Sequence, residues 1–270
     1  MASAHDGAVR VPEDTSHNKA GREQTSPPSF APYHKWDRSF FLAFAAMAWV
    51  SIVMGFGPGV KGQLTGQSPF PHPIVHVHAV VFSGWLVLFT AQAWLIRSGR
   101  LHIHRKLGLS AVALVPIMVV LGIATTLVSR RVNFEAGQNQ MLAFMIVPLT
   151  DMLLFPSLAV PALLLRKDPA RHKRLMLLAT ATLLPASFGR WIGPWLLAHF
   201  GDGFFGLMAQ AYLGSNAMIL AAMAYDRVTR GRIHPVYLIA LPWILAVEAV
   251  TSAIYHWSGW LPMAQRMIGY

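Results

Sequence analysis

Long apolar segments alternate with short polar segments along most of the chain. After residue 38, seven segments each have close to the ~20 residues that a helix needs to cross the hydrocarbon core of a bilayer. They lie at 39–58, 74–96, 107–128, 141–165, 174–199, 204–224 and 235–257. The pattern predicts an all-α, polytopic membrane protein whose transmembrane domain, 39–270, is a bundle of seven transmembrane helices.

Residues 1–38 have a different composition. They are polar and rich in Pro, Ser, Asp and Lys, and they lack the apolar core of a signal peptide. A segment with so few apolar residues cannot bury enough surface to fold alone. We therefore expect 1–38 to be a disordered cytoplasmic tail.

The overall composition agrees with a membrane protein. Apolar residues make up 54% of the chain and charged residues only 12%, against about 25% charged residues in soluble domains. The chain contains no cysteine. Disulfides, thiolate catalysis, iron–sulfur clusters and cysteine-based zinc sites are therefore excluded.

The basic residues predict the orientation, because cytoplasmic loops of membrane proteins are enriched in Lys and Arg. One side of the predicted topology carries fourteen of them: Lys35, Arg38, Arg97, Arg100, Arg105, Lys106, Arg166, Lys167, Arg171, Lys173, Arg174, Arg227, Arg230 and Arg232. The other side carries four: Lys61, Arg130, Arg131 and Arg266. We expect a multi-pass protein of the inner (cytoplasmic) membrane, with its N-terminus in the cytoplasm and its C-terminus outside.

The net charge of +11 is explained by the same loops. Basic loops beside apolar segments favour contact with anionic lipid headgroups. We expect the lipid bilayer as the partner of these loops, and no nucleic acid. A protein partner within a membrane complex is a further expectation that the sequence leaves open.

Histidines are predicted at both ends of the bundle. The outer set is His72, His76, His78, His199 and His256, and the inner set includes His104 and His172. Three interpretations compete: interfacial histidines that bind nothing, axial ligands of a haem, or ligands of a non-haem transition metal.

Each cofactor interpretation uses particular histidines. An outer haem b would be held by His76 or His78 together with His199 or His256, and an inner haem by His104 with His172. A metal would be held by His72, His76 and His78, which lie in the stretch HPIVHVH. An isolated HxxxH is a weak signal, and no carboxylate lies next to it.

Three ionisable residues lie deep in the predicted spans. Asp151, Arg190 and Glu248 are each nine or ten residues from the outer end of their segment, a depth of about 14 Å. A charge at this depth costs ~3 kcal/mol or more unless it is paired. The sequence therefore predicts a buried cluster in which Arg190 lies between the two acids, with Asn216 beside them.

The cluster has two interpretations: a static salt bridge, or a site for a ligand, an ion or a proton. Prolines on the same segments predict an irregular backbone around it. They are Pro148, Pro156 and Pro161 near Asp151, and Pro185 and Pro194 near Arg190.

Several functions are excluded by missing motifs. The seventh segment has no lysine that could hold retinal, and no glycine-rich phosphate loop or GxSxG nucleophile motif occurs.

Four stretches carry a resemblance: HAVVFSGWLVLFTAQAWLI, LHIHRKLG, RHKRLMLLAT and GRIHPVY. Over roughly residues 40–240 the chain resembles a group of uncharacterised bacterial seven-span inner-membrane proteins. More remotely it resembles the b-type diheme membrane cytochromes, although those place their histidines within the spans. The resemblance implies a helical membrane fold and, from the cytochromes, haem as a cofactor.

The leading expectation is a membrane protein that binds haem or a metal through interfacial histidines, with the charge cluster serving a proton- or electron-linked function. Whether the protein is an enzyme is left open. One alternative is a transporter of small solutes, or a proton-coupled one. Another is a non-catalytic subunit of a membrane complex.

Overall fold

The computed structural model describes residues 30–270, apart from the side chain of Gln140, and its regular structure in that range is entirely helical. The helices are α1 (Asp37–Leu64), α2 (Pro73–Arg97), α3 (Leu101–Gly108), α4 (Ser110–Glu135), α5 (Gln140–Ala143), α6 (Ile146–Leu164), α7 (Pro169–Ala181), α8 (Pro185–Trp191), α9 (Gly193–Phe200), α10 (Phe204–Arg230), α11 (Pro235–His256) and α12 (Trp260–Met267).

Six stretches of helix within the described range are long and apolar enough to cross a membrane. They are Asp37–Leu64, Pro73–Arg97, Leu101–Glu135, Met141–Leu164, Phe204–Arg230 and Pro235–His256. Large apolar side chains, including Val53, Val80, Val120 and Ile239, are exposed along them. Since a soluble protein rarely exposes so much apolar surface, these helices indicate a membrane protein.

The fifth predicted segment, 174–199, is not a continuous helix. It is divided into α7, α8 and α9 by breaks at 182–184 and at Ile192. Pro185 and Pro194 stand in the first turns of α8 and α9. Proline lacks an N–H to donate and disfavours helical backbone in the residue before it, so a helix ends before it and a new one begins.

The prolines of the fourth segment have a smaller effect than expected. Helix α6 runs without interruption through Pro156 and Pro161. The irregularity lies earlier, at 144–145 between α5 and α6. The backbone beside Asp151 is therefore regular helix, and the predicted irregular backbone is found only around α8.

Two close approaches fix the packing of the bundle. A side chain at Gly55 of α1 would collide with the backbone of Ser187 in α8, and the hydroxyls of Ser51 and Ser187 are hydrogen-bonded at 2.9 Å. At Gly122 of α4, a side chain would meet Met152 of α6 and Phe82 of α2. Helix α8 thus packs on α1, while α2, α4 and α6 meet at the level of Gly122.

The two ends of α10 lie beside different parts of the chain. Arg230, at its C-terminal end, bonds Asp37 at the start of α1. At its N-terminal end, the Asp202 carbonyl lies 2.9 Å from His256 Nε2 at the end of α11. Since α10 has 27 residues, these two ends are about 40 Å apart.

The folded part begins earlier than the predicted boundary at residue 39. Arg230 Nε donates to the Ala31 carbonyl at 3.1 Å. The ring of Phe30 packs edge-on against His234, with centroids 4.6 Å apart. Residues 30–38 therefore pack on the bundle, and the rest of the predicted tail, 1–29, lies outside the described residues.

Candidate functional site

Two buried acids on different helices lie near each other inside the bundle. Asp151 on α6 is 7% exposed and Glu248 on α11 is 2% exposed. Their carboxyl groups are close enough to interact electrostatically. The sequence predicted this juxtaposition from their equal depth, and the structure brings the two residues together.

Neutral polar side chains surround the two carboxyl groups. Asn216 Nδ2 donates to Glu248 Oε2 at 2.8 Å, as expected for the predicted neutral neighbour. Thr251 on α11 donates to Thr150 on α6 at 2.9 Å and joins the two helices beside the acids. The Asp151 Oδ1, Asn216 Oδ1 and Tyr212 hydroxyl atoms are buried without a hydrogen-bond partner in the described part of the chain.

Arg190 does not join this cluster. Its Nη1 donates to the Ala186 carbonyl at 2.7 Å, and its guanidinium carbon lies 4.8 Å from the ring centre of Phe56. Among residues 30–270, no ion pair within 4 Å joins Arg190 to an acid. The expected position of Arg190 between Asp151 and Glu248 is therefore corrected, because the break before α8 turns Arg190 towards α1.

Arg190 instead lies in a group of two arginines and one histidine, which we call the cationic group after its two guanidinium ions. It interacts electrostatically with Arg130 of α4 and with His78 of α2. The Nε atom of Arg130 and the Nδ1 atom of His78 are buried without a hydrogen-bond partner in the described range. The sequence did not predict that these three residues meet.

The outer histidines do not converge on one point. His72 caps α2 by accepting a hydrogen bond from the Ile74 amide at 3.3 Å, and His76 is exposed. His78 stacks on Phe82, with centroids 3.9 Å apart. Within residues 30–270, no group of three or more His, Asp or Glu side chains is arranged to hold a metal ion. The predicted metal set of His72, His76 and His78 is therefore not assembled.

The remaining outer histidines are engaged with the backbone. His199 is exposed, and its Nδ1 lies 2.8 Å from the Trp195 carbonyl. Both ring nitrogens of His256 are used: Nδ1 lies 2.7 Å from the Ser252 carbonyl, and Nε2 lies 2.9 Å from the Asp202 carbonyl. With both nitrogens bonded, His256 has none left for a haem iron.

The inner pair is arranged differently. His104 on α3 and His172 on α7 are both half-buried and interact electrostatically. His172 Nδ1 lies 2.8 Å from the Ala162 carbonyl. Such a bond fixes the ring and leaves Nε2 free, as in histidines that bind metals.

A third polar side chain lies beside His104. Both amide atoms of Gln92 and the Nδ1 atom of His104 are buried without a hydrogen-bond partner in the described residues. A side chain at Gly108, one turn after His104, would come within 3.4 Å of the Gln92 amide. Gln92 therefore lies along the face of α3 that carries His104.

The most deeply buried ion pair within residues 30–270 was not expected from the sequence. Arg174 of α7 binds Asp226 of α10 through Nε at 2.6 Å and Nη2 at 2.5 Å. Next to it, Asp37 accepts from Lys173 at 2.6 Å and from Arg230 at 2.7 Å. Three of the fourteen basic residues expected to face lipid headgroups are thus paired inside the protein.

One signal in the sequence could have indicated these pairs. Asp37 and Asp226 are acids at the ends of apolar segments on the side richest in Lys and Arg. An isolated acid among many bases is a candidate for internal pairing.

Comparison with models of protein families, with curated proteins and with solved structures gives no match to this chain.

Proposed function

We propose that this protein is a proton-linked membrane carrier in which Asp151 and Glu248 together form the proton-binding site. The supporting observation is that the two buried carboxyl groups interact electrostatically and that neither forms an ion pair with a basic side chain of residues 30–270. Two like charges held close in an apolar interior cannot both persist without a counter-ion. The pair therefore binds a proton, or a cation in its place.

The surroundings of the pair support this role. Asn216 donates to Glu248. The carbonyl oxygen of Asn216 and the Oδ1 atom of Asp151 have no hydrogen-bond partner among residues 30–270. A group that binds and releases a proton needs polar neighbours that can stabilise either form. Ionisable residues inside membrane proteins are the usual components of proton pathways.

The carrier is proposed to cross the membrane seven times. Six crossings are the continuous helical stretches, and the remaining one, fifth in chain order, is the interrupted segment formed by α7, α8 and α9. Two observations support it: Lys173 of α7 lies beside Asp37 at one end of α10, and α9 leads into its other end through Gly201, where Gly206 packs on the Gly201 backbone. The chain from 173 to 201 therefore runs along the full length of α10. Interrupted helices beside buried polar groups are typical of secondary transporters.

An odd number of crossings fits the charge distribution along the chain. We propose an inner-membrane protein with the N-terminus in the cytoplasm and the C-terminus outside, since the basic loops concentrate on the first side. The basic residues that are not paired internally would contact anionic headgroups. Membership of the uncharacterised bacterial inner-membrane group is part of the same proposal.

Carbodiimide labelling tests the proton site without knowledge of a substrate. Dicyclohexylcarbodiimide reacts with protonated carboxyl groups in apolar surroundings and leaves a stable adduct that peptide mass spectrometry can locate. We expect labelling of Asp151 or Glu248 near neutral pH in the full chain reconstituted in lipid. Glu135, which is exposed and paired with Arg131 at 3.0 Å, is the internal control and should stay unlabelled.

Proteoliposomes that contain a pH-sensitive dye test coupling. Gradients of small organic acids and amines are imposed in turn, and proton movement is recorded for the wild type, Asp151→Asn, Glu248→Gln and the matched control Glu135→Gln. We expect at least one gradient to drive proton movement in wild type and control but not in the two site variants. Absence of labelling at both acids, or movement that survives Asp151→Asn and Glu248→Gln, would refute the proposal.

The inner histidines favour a second candidate function. A transition metal or a haem would be held by His104 and His172, in line with the resemblance to b-type cytochromes. The supporting observation is that His104 Nδ1 has no hydrogen-bond partner among residues 30–270, and that the bond at His172 Nδ1 leaves Nε2 of that ring for a metal. A bound cofactor would supply one-electron chemistry at the inner face.

Absorbance spectra and elemental analysis of the purified protein test this second function. A Soret band, or stoichiometric metal, should be present in the wild type and lost in His104→Ala and His172→Ala. His102→Ala is the matched control, since His102 is an exposed histidine on the same short helix. A colourless, metal-free wild type, or a signal equally reduced by His102→Ala, would contradict it.

A further inference from the structure

Within residues 30–270, the cationic group of Arg130, Arg190 and His78 forms no ion pair with an acid. Of the seven acids in 30–270, Asp37, Asp168 and Asp226 pair with basic side chains at the other end of the bundle. Glu135 pairs with Arg131, the neighbour of Arg130, and accepts a further bond from Tyr270. Among these described acids, none forms an ion pair within 4 Å with Arg130 or Arg190.

Helix geometry gives the position of the group. Phe82, Gly122 and Met152 meet at one level, and Asp151 precedes Met152. From that level towards the ends of the helices at Pro73 and Glu135, His78 lies about 6 Å away and Arg130 about 12 Å away, at 1.5 Å per residue. The cationic group therefore lies between the carboxyl pair and the predicted outer surface.

None of the three residues is fully buried. Arg190 is exposed, and Arg130 and His78 are partly exposed. Phe56 covers one face of the Arg190 guanidinium, and Ala186 uses one of its donors. The other donors of Arg190 and the donors of Arg130 have no hydrogen-bond partner among residues 30–270, and of these the Nε of Arg130 is buried.

The chemistry of these donors selects the ligand. A guanidinium presents its N–H groups in a planar fork that matches a carboxylate or phosphate group. The guanidinium groups of Arg130 and Arg190 repel each other electrostatically, and a bound anion would offset that repulsion. We infer that Arg130, Arg190 and His78 form a binding site for the carboxylate or phosphate group of an anionic ligand, either a soluble anion or a lipid headgroup.

The site is tested by binding to the full chain. In neutral detergent, the midpoint temperature of unfolding is measured with acetate or inorganic phosphate against chloride at equal ionic strength. In nanodiscs, native mass spectrometry compares retention of phosphatidylglycerol with retention of phosphatidylcholine. The first arm detects a soluble anion and the second a lipid phosphate.

The variants are Arg130→Gln and Arg190→Gln, with Arg131→Gln as the matched control. Arg131→Gln removes the same charge from the adjacent position, where the side chain is exposed and paired with Glu135. We expect the wild type and the control to bind an anion in at least one arm. Loss of one charge-assisted contact should weaken the apparent affinity roughly tenfold or more in the other two variants.

Two results would overturn the site. One is the absence of anion-specific stabilisation and of preferential lipid retention in both arms. The other is a loss in Arg131→Gln as large as that in Arg130→Gln, which would indicate only a general surface charge effect. If Arg190→Gln fails to fold, the comparison of Arg130→Gln with Arg131→Gln still shows whether anion binding depends on this site.

This inference does not depend on the proton-linked function. Glu248→Gln removes the proposed proton site and should leave anion binding unchanged. Anion binding without proton movement would support the anion site and reject the carrier. Proton movement without anion binding would support the carrier and reject the anion site.

Discussion

Arg174 and Asp226 form a two-pronged ion pair in which both side chains are almost completely buried. The guanidinium and carboxylate share bonds of 2.5 and 2.6 Å, and each side chain is 2% exposed. Arg174 Nη1 also donates to the Ala170 carbonyl at 2.7 Å. The pair joins α7 to α10 at the end of the bundle where Asp37 joins α1 to the same region.

Breaking this pair should strongly destabilise the protein. Asp226→Asn leaves a buried guanidinium without its counter-charge, which costs about 3–5 kcal/mol of the free energy of unfolding. Arg171→Gln is the control, since its bond to Asp168 at 3.3 Å is exposed and is worth at most about 1 kcal/mol. Unfolding in sodium dodecyl sulfate measures the loss of stability in both variants. Equal effects of the two variants would show that Asp226 does not act through a buried charge pair.

Asp37 should hold residues 30–36 against the bundle. It accepts hydrogen bonds from Lys173, Arg230 and Tyr225, and Asp37→Asn removes its charge from all three contacts. We expect a loss of about 3 kcal/mol and faster trypsin cleavage at Lys35 and Arg38, followed by mass spectrometry. Tyr225→Phe removes a single hydrogen bond, worth about 1 kcal/mol, and should leave cleavage near the wild-type rate.

Gly55 should tolerate no side chain. Its would-be Cβ collides with the Ser187 backbone, which cannot move aside as a flexible side chain can. Gly55→Ala should separate α8 from α1 at a cost of about 1–3 kcal/mol, as overpacking does. Gly57→Ala and Gly59→Ala are matched controls on the same helix, with no atom within 4 Å of the added carbon. A thermal midpoint for Gly55→Ala equal to those of the controls would argue against this contact.

His234 should make stability depend on pH. Burial, together with the positive charge of Arg174, lowers the pKa of His234 to about 4. The unfolded chain, with a histidine pKa of about 6.5, binds the proton first as the pH falls. The stabilisation from His234 is therefore complete above about pH 6.5 and is lost as the pH falls towards 4.

His234→Asn separates this titration from the role of His234 as the N-cap of α11. Asparagine accepts the same kind of bond that His234 Nδ1 accepts from the Val236 amide at 3.1 Å. The variant should keep the helix start and show a smaller drop in midpoint temperature between pH 7 and pH 5. A drop as large as that of the wild type would mean that other groups cause it.

The sequence by itself determined the helical membrane class, and it placed both bounds of the second, fourth and seventh segments within two residues of the observed helical stretches. Apolar length decides whether a helix can cross a bilayer, and that property is local to each segment. The same local pattern gave Asp151 and Glu248 equal depth, from which we predicted that they lie together with Asn216 beside them, and in the structure Asn216 donates to Glu248. It also showed prolines at 185 and 194, where the structure divides the fifth segment.

Only the tertiary structure decided which charged groups pair. Equal depth places residues on one level of the bundle but does not say which side of its helix each one faces. The break before α8 turns Arg190 to Phe56 and away from the acids, while packing brings Arg174 to Asp226 and His104 to His172. These contacts depend on the rotation of each helix about its own axis, and that rotation is set by close approaches such as Gly55 to Ser187, which no local pattern contains.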